Sequence, residues 1–327
     1  MGYITIDTGT TNTRIKYIEN NRILGTYQEK VGVRDTAITG SLENLKKSIK
    51  TGIHHCLNDA HRKVNDIEKI IAFGMITSNL GLIEIPHIEA PVGIKELNES
   101  VVIKRFEEIV DQPIYFIPGV KNQVESTSPM DFQLMDMMRG EETESIGVIS
   151  LMETKGNVIY ISPGSHTKFV FFNDERSIMK CSTTLTGELL WALASETILA
   201  SSIPKNLLST IEEQYIREGI KAVEKYGFSK TCFLVRIMEL FANTTPNQQV
   251  NFIAGAIGYH DIKSIEEDLK GNKPTIVIGG KKIMRELYHT IFQLIAYDMS
   301  KVIIPDDQIL ERASSLGALT IVEGIVV

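Results

Sequence analysis

Short apolar runs broken by Gly, Thr and Asn dominate the start of the chain. Tyr3, Ile4 and Ile6 form one run, which ends at Asp7 and a turn of Thr8, Gly9, Thr10, Thr11 and Asn12. Residues 13–18 and 23–28 continue as strands, parted by the turn signal Asn20-Asn21. The period then changes: Leu42, Leu45, Ile49, Ile53 and Leu57 recur at helical spacing and predict a helix over about 41–60. The same order returns in mid-chain. Val158–Ser162, Lys168–Phe172 and Ser177–Thr183 read as strands, separated by Pro163-Gly164-Ser165-His166-Thr167 and by Asn173-Asp174. A helix over about 186–200 follows, behind Thr184-Leu185-Thr186-Gly187-Glu188, whose Thr and Glu suit a helix start. Two strand–turn–strand–turn–strand–helix units predict a duplicated α/β domain. The copies share pattern, not identity.

Between the copies, Ile67–Phe73 predicts a buried strand ending at Gly74, Val101–Val110 a helix, and Ile114–Ile117 a strand stopped by Pro118-Gly119. A polar stretch, Lys121–Pro129, precedes a helix starting near Gly140-Glu141-Glu142-Thr143. From Pro204 to about Leu269 the chain reads as helical. Thr275–Ile278 is a strand that breaks at Gly279-Gly280 into a helix over Lys282–Phe292, and Val302–Ile304 is strand-like. A final helix, about 309–324, carries Ala313, Ser314, Ser315, Gly317 and Ala318, small enough for close packing. The expected domains are 1–155 and 156–327, in line with ~100–200 residues per domain.

Composition narrows the class. A hydrophobic content of 43% with 23% charged residues is that of a soluble globular protein. The net charge of −7 argues against a nucleic-acid footprint, so anionic ligands must be met by local cations or helix N-termini. The N-terminus lacks a basic-then-apolar signal pattern, and no apolar run approaches the ~18 residues of a membrane helix. Three widely spaced cysteines, Cys56, Cys181 and Cys232, fit a reducing cytoplasm without structural disulfides. His54, His55, Cys56 and His61 share a helix without a second group of ligands at suitable spacing, which argues against a metal centre.

The turn after Asp7 offers backbone N–H groups and small hydroxyls, the makings of a phosphate cradle with a carboxylate placed for a metal ion. The same residues also suit a plain hairpin whose Asp caps a tight turn. Gly164, Ser165, His166, Thr167 and Lys168 are its counterpart, with His166 and Lys168 as candidate phosphate contacts or as ordinary turn and strand-edge residues. Two such turns facing each other across a cleft would clamp nucleotide phosphates. Phosphoryl transfer asks mainly for positioning and charge neutralisation. Gly279 and Gly280 after a buried strand allow close approach of a base, though many α/β loops carry Gly-Gly. No G-x-G-x-x-G follows a strand, which argues against a dinucleotide enzyme. Glu141 and Glu142 at a helix start either simply favour the helix dipole or supply a general base. Arg139 suits a substrate carboxylate, and Ser78 and Asn79, just past a strand end, suit a polyhydroxylated ligand.

Taken together, DTGTTNTR (7–14), GMITSNLG (74–81), IPG (117–119), MRGEET (138–143), SPGSHTKFV (162–170) and TLTGEL (184–189) resemble the 2-dehydro-3-deoxygalactonokinase family. The resemblance spans nearly the whole chain and is diffuse over 200–270. It implies the duplicated ribonuclease-H-like fold of actin and the sugar kinases, arranged around an ATP cleft. It also implies ATP, Mg2+ and phosphorylation of the terminal (6-)hydroxyl of 2-dehydro-3-deoxy-D-galactonate in galactonate breakdown.

Carried over by position, Asp7 would hold Mg2+ through water, and Gly9, Thr10, Thr11 and Asn12 would form the first phosphate loop. Gly164–Lys168 form the second loop, and Gly279 and Gly280 lie in the adenosine segment. Glu142 is the first choice of base and Glu141 the second, with Ser78, Asn79 and Arg139 around the sugar acid. Thr8 departs from the family, where an aromatic residue is common. A kinase of a related acid such as 2-dehydro-3-deoxygluconate, or a non-catalytic sensor on the same fold, is the alternative. The expected partners are small molecules, with no nucleic acid or membrane; a homodimer is compatible with the sequence.

Overall fold

The computed structural model describes residues 2–124, 128, 131–152, 154–203, 208–271 and 273–325. It divides into two compact units: Met1–Thr154 with Val170–Cys181 and Asp306–Val327, and Lys155–Phe169 with Ser182–Pro305.

The first unit opens with three strands, β1 (Gly2–Thr8), β2 (Thr13–Glu19) and β3 (Arg22–Glu29), joined by tight turns. Asn20 and Asn21 both take positive φ, which short polar side chains tolerate at a tight turn. Helices α1 (Val33–Thr39) and α2 (Glu43–Asp59) follow. Leu45, Ile49, Ile53 and Leu57 of α2 pack into one cluster with Ile4, Ile6, Ile15 and Tyr17 of the sheet. β4 (Ile67–Gly74) then runs parallel beside β1. A two-residue strand β5 (Ile88–Glu89) and helix α3 (Ile94–Glu99) lead to β6 (Val102–Phe106) and β7 (Val110–Phe116). The resulting sheet has the order β3-β2-β1-β4-β7-β6.

One expectation fails here. The helix predicted over Val101–Val110 is instead β6, a turn and the start of β7, paired antiparallel with Val102 opposite Phe116. Val102, Phe106 and Val110 satisfy helical spacing, but the β-branched run Val101-Val102-Ile103 favours extended backbone, and pairing with β7 decides the matter. Beyond β7, short strands β8 (Val120–Lys121) and β9 (Met137–Met138) join β5 in a three-stranded sheet. Glu125, Ser126, Thr127 and Pro129 of the expected polar stretch lie outside the described residues. Helix α4 (Glu141–Ser150) closes this run, capped by Gly140.

The second sheet contains β10 (Val158–Ser162), β11 (Thr167–Phe172) and β12 (Ile178–Thr184), followed by helix α5 (Thr186–Glu196). Pro204, the expected start of the helical stretch, lies outside the described residues; the helices observed there are α6 (Glu213–Tyr226), α7 (Phe228–Phe241) and α8 (Pro246–Lys263). Then come β13 (Thr275–Ile278), α9 (Lys282–Leu294) and β14 (Val302–Ile303). The order is β12-β11-β10-β13-β14, the counterpart of β3-β2-β1-β4-β7. The repeat read from sequence is therefore a repeat of topology.

The last helix, α10 (Asp307–Glu323), belongs to the first unit and packs against α4. Thr5 of β1 and Ser315 share a hydroxyl hydrogen bond of 2.9 Å, and Asn98 of α3 donates to the Ile321 and Val322 carbonyls. The small residues of this helix admit that approach.

Candidate active site

In the first unit the site grows from the carboxyl ends of two neighbouring parallel strands. Strand register sets Asp7 opposite Phe73 and Thr8 opposite Gly74. After β1 the chain turns back tightly, Gly9 N–H donating to the Asn12 carbonyl at 2.8 Å. The turn is clamped from outside: Val33 and Arg34 N–H donate to the Gly9 and Thr10 carbonyls. Thr13 anchors the exit, its hydroxyl donating to the Val31 carbonyl at 2.8 Å. Asp7 is partly buried and faces Arg14, whose guanidinium donates to the carboxylate at 3.2 Å. Burial pushes the Asp7 carboxyl up, and Arg14 opposes that shift.

Gly74 and Gly140 bring the other motifs to this loop. Both have positive φ, +81° and +117°. A Cβ on Gly74 would lie 2.6 Å from the Thr8 carbonyl, and one on Gly140 would lie 3.3 Å from the Gly74 Cα. Glycine is thus required twice where three segments converge. The contact seats the N-terminus of α4, with Glu141, Glu142 and Glu144 in its first turn, beside the Asp7 strand end.

Glu142 is fully buried, and both of its carboxylate oxygens accept from the Gly140 N–H at 2.8 Å. Burial, with Glu141 adding repulsion, pushes its pKa up to about 7; backbone N–H groups and Arg139 pull the other way. The neighbouring Glu141 is only partly buried and accepts from the Arg139 backbone N–H at 3.1 Å.

Arg139 ties the site together. Its guanidinium donates to the carbonyl and hydroxyl of Thr77 and to the Ile85 carbonyl, at 2.7, 2.6 and 3.0 Å, and lies 3.2 Å from His87 Nδ1. Ser78 closes the turn after β4, donating to the Met75 carbonyl at 2.7 Å, while Asn79 is exposed.

In the second unit, Gly164, Ser165 and His166 form an exposed loop between β10 and β11, and Thr167 and Lys168 are buried. The N-terminus of α5 holds this loop: Gly187 and Glu188 N–H donate to the Gly164 and Ser165 carbonyls at 3.2 and 2.9 Å. Gly187 has no room for a side chain, since a Cβ would lie 3.0 Å from Ser165 Cα. His166 Nε2 lies 2.8 Å from a Glu188 carboxylate oxygen, and Lys168 donates to the Thr183 hydroxyl at 2.5 Å. Gly279 donates to the Ile161 carbonyl at 2.8 Å, and Gly280 sits against Pro163, so the Gly-Gly turn adjoins the second loop.

Sequence reading missed what lies beneath. Thr167, Thr186, Asp261 and Tyr288 form one buried polar cluster: Thr186 Oγ1 is 2.6 Å from Thr167 Oγ1 and 2.7 Å from Asp261 Oδ2. The Tyr288 hydroxyl donates to Asp261 at 2.5 Å. Burial raises Asp261, against hydrogen bonds from Tyr288 and Thr186. A signal was available. α8 is buried nearly all round, so an acidic residue within it must be partnered.

The chain matches known proteins along its length. The profile of the family described as 2-keto-3-deoxy-galactonokinase matches residues 7–313. The 2-dehydro-3-deoxygalactonokinase of Escherichia coli strain K12 is 24% identical over 305 residues, which cover 92% of each chain. A Sinorhizobium meliloti protein of known structure, provisionally assigned as a 2-dehydro-3-deoxygalactonokinase, aligns at a TM-score of 0.75 and 22% identity. The alignment covers 97% of this chain and 98% of that one. The activator of 2-hydroxyisocaproyl-CoA dehydratase from Clostridium difficile, solved with bound ADPNP, aligns at 0.50 and 13% identity over 99% and 96% of the two chains. At these identities the structures establish the fold, that of the actin-like ATPases and sugar kinases.

Proposed function

The chain belongs to the 2-keto-3-deoxy-galactonokinase family, and we propose that it transfers the γ-phosphoryl group of ATP to the terminal (6-)hydroxyl of 2-dehydro-3-deoxy-D-galactonate. The bond from the γ-phosphorus to the β,γ-bridging oxygen breaks, a bond to the sugar-acid oxygen forms, and ADP leaves. The hydroxyl proton goes to Glu142. The observation carrying this reading is a buried carboxylate, its pKa raised to about 7, seated beside the Asp7 strand end. A base with a pKa near the operating pH is ionised often enough to accept a proton and basic enough to hold it.

The remaining roles follow from position. The Gly9–Asn12 turn offers N–H groups and hydroxyls to phosphate oxygens, as does the Gly164–Lys168 loop, with Gly279 and Gly280 toward the adenosine. Ser78 and Asn79 would meet the sugar acid's hydroxyls, and Arg139, held by Thr77 and Ile85, would shape that pocket and favour the acid's carboxylate. Among the described residues, no group of three or more His, Cys, Asp or Glu side chains is gathered to hold a metal ion. Mg2+ is commonly held by one or two carboxylates together with phosphate oxygens and water, and Asp7, at the strand end beside the first turn, would be its protein-side carboxylate. When bound, Mg2+ would neutralise phosphate charge. ATP as the phosphoryl donor supports a cytoplasmic reaction. Among the described residues, no helix is long and apolar enough to cross a membrane.

A coupled ADP-release assay over a panel of sugar acids tests the proposal. Turnover should be highest in kcat/KM with 2-dehydro-3-deoxy-D-galactonate and lower with its gluconate epimer. Preference for the epimer would reassign the substrate. ADP release no faster than background with every acid, despite binding of one of them, would mark a sensor.

A further inference from the structure

Helices α8 and α9 contribute two buried polar side chains, Asp261 and Tyr288, that the reaction as described does not use. Asp261 is 5% exposed, and one of its oxygens meets both the Thr186 hydroxyl at 2.7 Å and the Tyr288 hydroxyl at 2.5 Å. A hydroxyl has one proton to give. With Thr186 and Tyr288 donating to the carboxylate, Thr167 is left to donate to Thr186 across 2.6 Å. The chain of hydroxyls thus acquires a direction set by Asp261.

Thr186 is the first residue of α5, and the next two residues carry the N–H groups that hold the Gly164 and Ser165 carbonyls. Thr167 is the residue where that loop enters β11. Asp261 therefore reaches both ends of the second loop, through Thr186 to its outer carbonyls and through Thr167 to its base. We propose that Asp261 is a positioning residue for nucleotide binding, the buried anchor that fixes the second phosphate loop against the α5 N-terminus. This rests on the reading of Gly164–Lys168 as a phosphate loop.

The experiment measures ADP affinity by calorimetry in the presence of Mg2+, and sugar-acid affinity separately without nucleotide. Asp261→Leu and Thr186→Val should each weaken ADP binding by about tenfold, the scale of a lost buried hydrogen bond, and leave sugar-acid affinity unchanged. Asp261→Asn, which keeps an acceptor oxygen of the same shape, should recover most of the lost affinity. ADP affinity within about twofold of the parent in folded Thr186→Val or Asp261→Leu protein overturns the proposal, as does an equal loss of sugar-acid affinity. Should Asp261→Leu fail to fold, Thr186→Val and Asp261→Asn decide. Turnover is not read, so failure of the kinase reading and failure of this one are separable: a parent protein that binds ADP but phosphorylates no acid sinks only the former.

Discussion

A Cβ on Gly317 would run into the carbonyl oxygen of Thr143, the residue that follows Glu142. The first turn of α4 therefore rests on the backbone of α10, a helix from the far end of the chain, with no side chain between them. The position of the candidate base is fixed by how closely two helices approach.

Gly317→Ala should accordingly force the two helices apart. Overpacking of this kind costs about 1–3 kcal/mol, read as a lower denaturation midpoint. Because the displaced turn carries Glu142, kcat should fall more than the KM for ATP changes. Parent-like stability and kcat would show that the two helices can part without cost and that their crossing does not fix Glu142.

Glu142→Gln keeps the shape of the side chain and removes its basicity. Loss of a positioned base costs about 10²–10⁴-fold in rate, so kcat should drop by that order while ADP affinity holds. Glu141→Gln, altering a half-buried neighbour, should cost far less. The reverse ranking of the two variants would move the base to Glu141.

With a pKa of about 7, Glu142 must lose its proton before it accepts another, so kcat should rise with pH through neutrality and level off above it. The same shift has a cost in stability. The folded state holds this proton between the unfolded value of 4.5 and about 7, so stability falls as pH rises through that window. Above pH 7 the penalty is complete, on the order of 3 kcal/mol at 1.36 kcal/mol per pKa unit. Chemical denaturation at pH 8 should find Glu142→Gln more stable than the parent, with the difference gone near pH 4.5. A difference independent of pH would rule out the buried ionised carboxylate as its source.

Asp7→Asn retains the size of the side chain but removes its charge. A magnesium titration should show a rise of roughly tenfold or more in the ion concentration for half-maximal rate, since charged oxygen is the preferred ligand. An unchanged magnesium dependence would take Asp7 out of the metal-side role.

Arg139→Lys preserves charge and loses the planar fork that spans Thr77 and Ile85. The loss should amount to about 1–3 kcal/mol of stability, together with a higher KM for the sugar acid. A higher KM with stability intact would mean that the guanidinium serves the ligand rather than the loop.

Much of the fold was legible because its elements are short and strongly patterned. The strand–turn–strand–turn–strand–helix order needs only the change from a period of 2 to one of 3.6, and both appear in β1–β3 with α2 and in β10–β12 with α5. Val101–Val110 was misread because its apolar residues satisfy the helical period, whereas its state depends on β7 as a partner. The candidate site was legible where chemistry sits in contiguous motifs, as in Asp7–Asn12 and Glu141-Glu142. An acidic residue in a buried helix signals that Asp261 needs a partner, but which partner was not legible, because Thr167, Thr186 and Tyr288 come from other elements of the chain.

By itself the sequence determined the repeat, the two Gly-rich turns and the carboxylate pair, since these are consequences of local backbone preference and residue type. Tertiary structure decided the rest. It alone set Gly140 on Gly74 beside Asp7, turned Arg139 into a brace for Thr77 and Ile85, and buried Glu142 deeply enough to bring its pKa near neutrality. Desolvation and close backbone approach depend on what the rest of the chain places around a residue, and no local pattern encodes that.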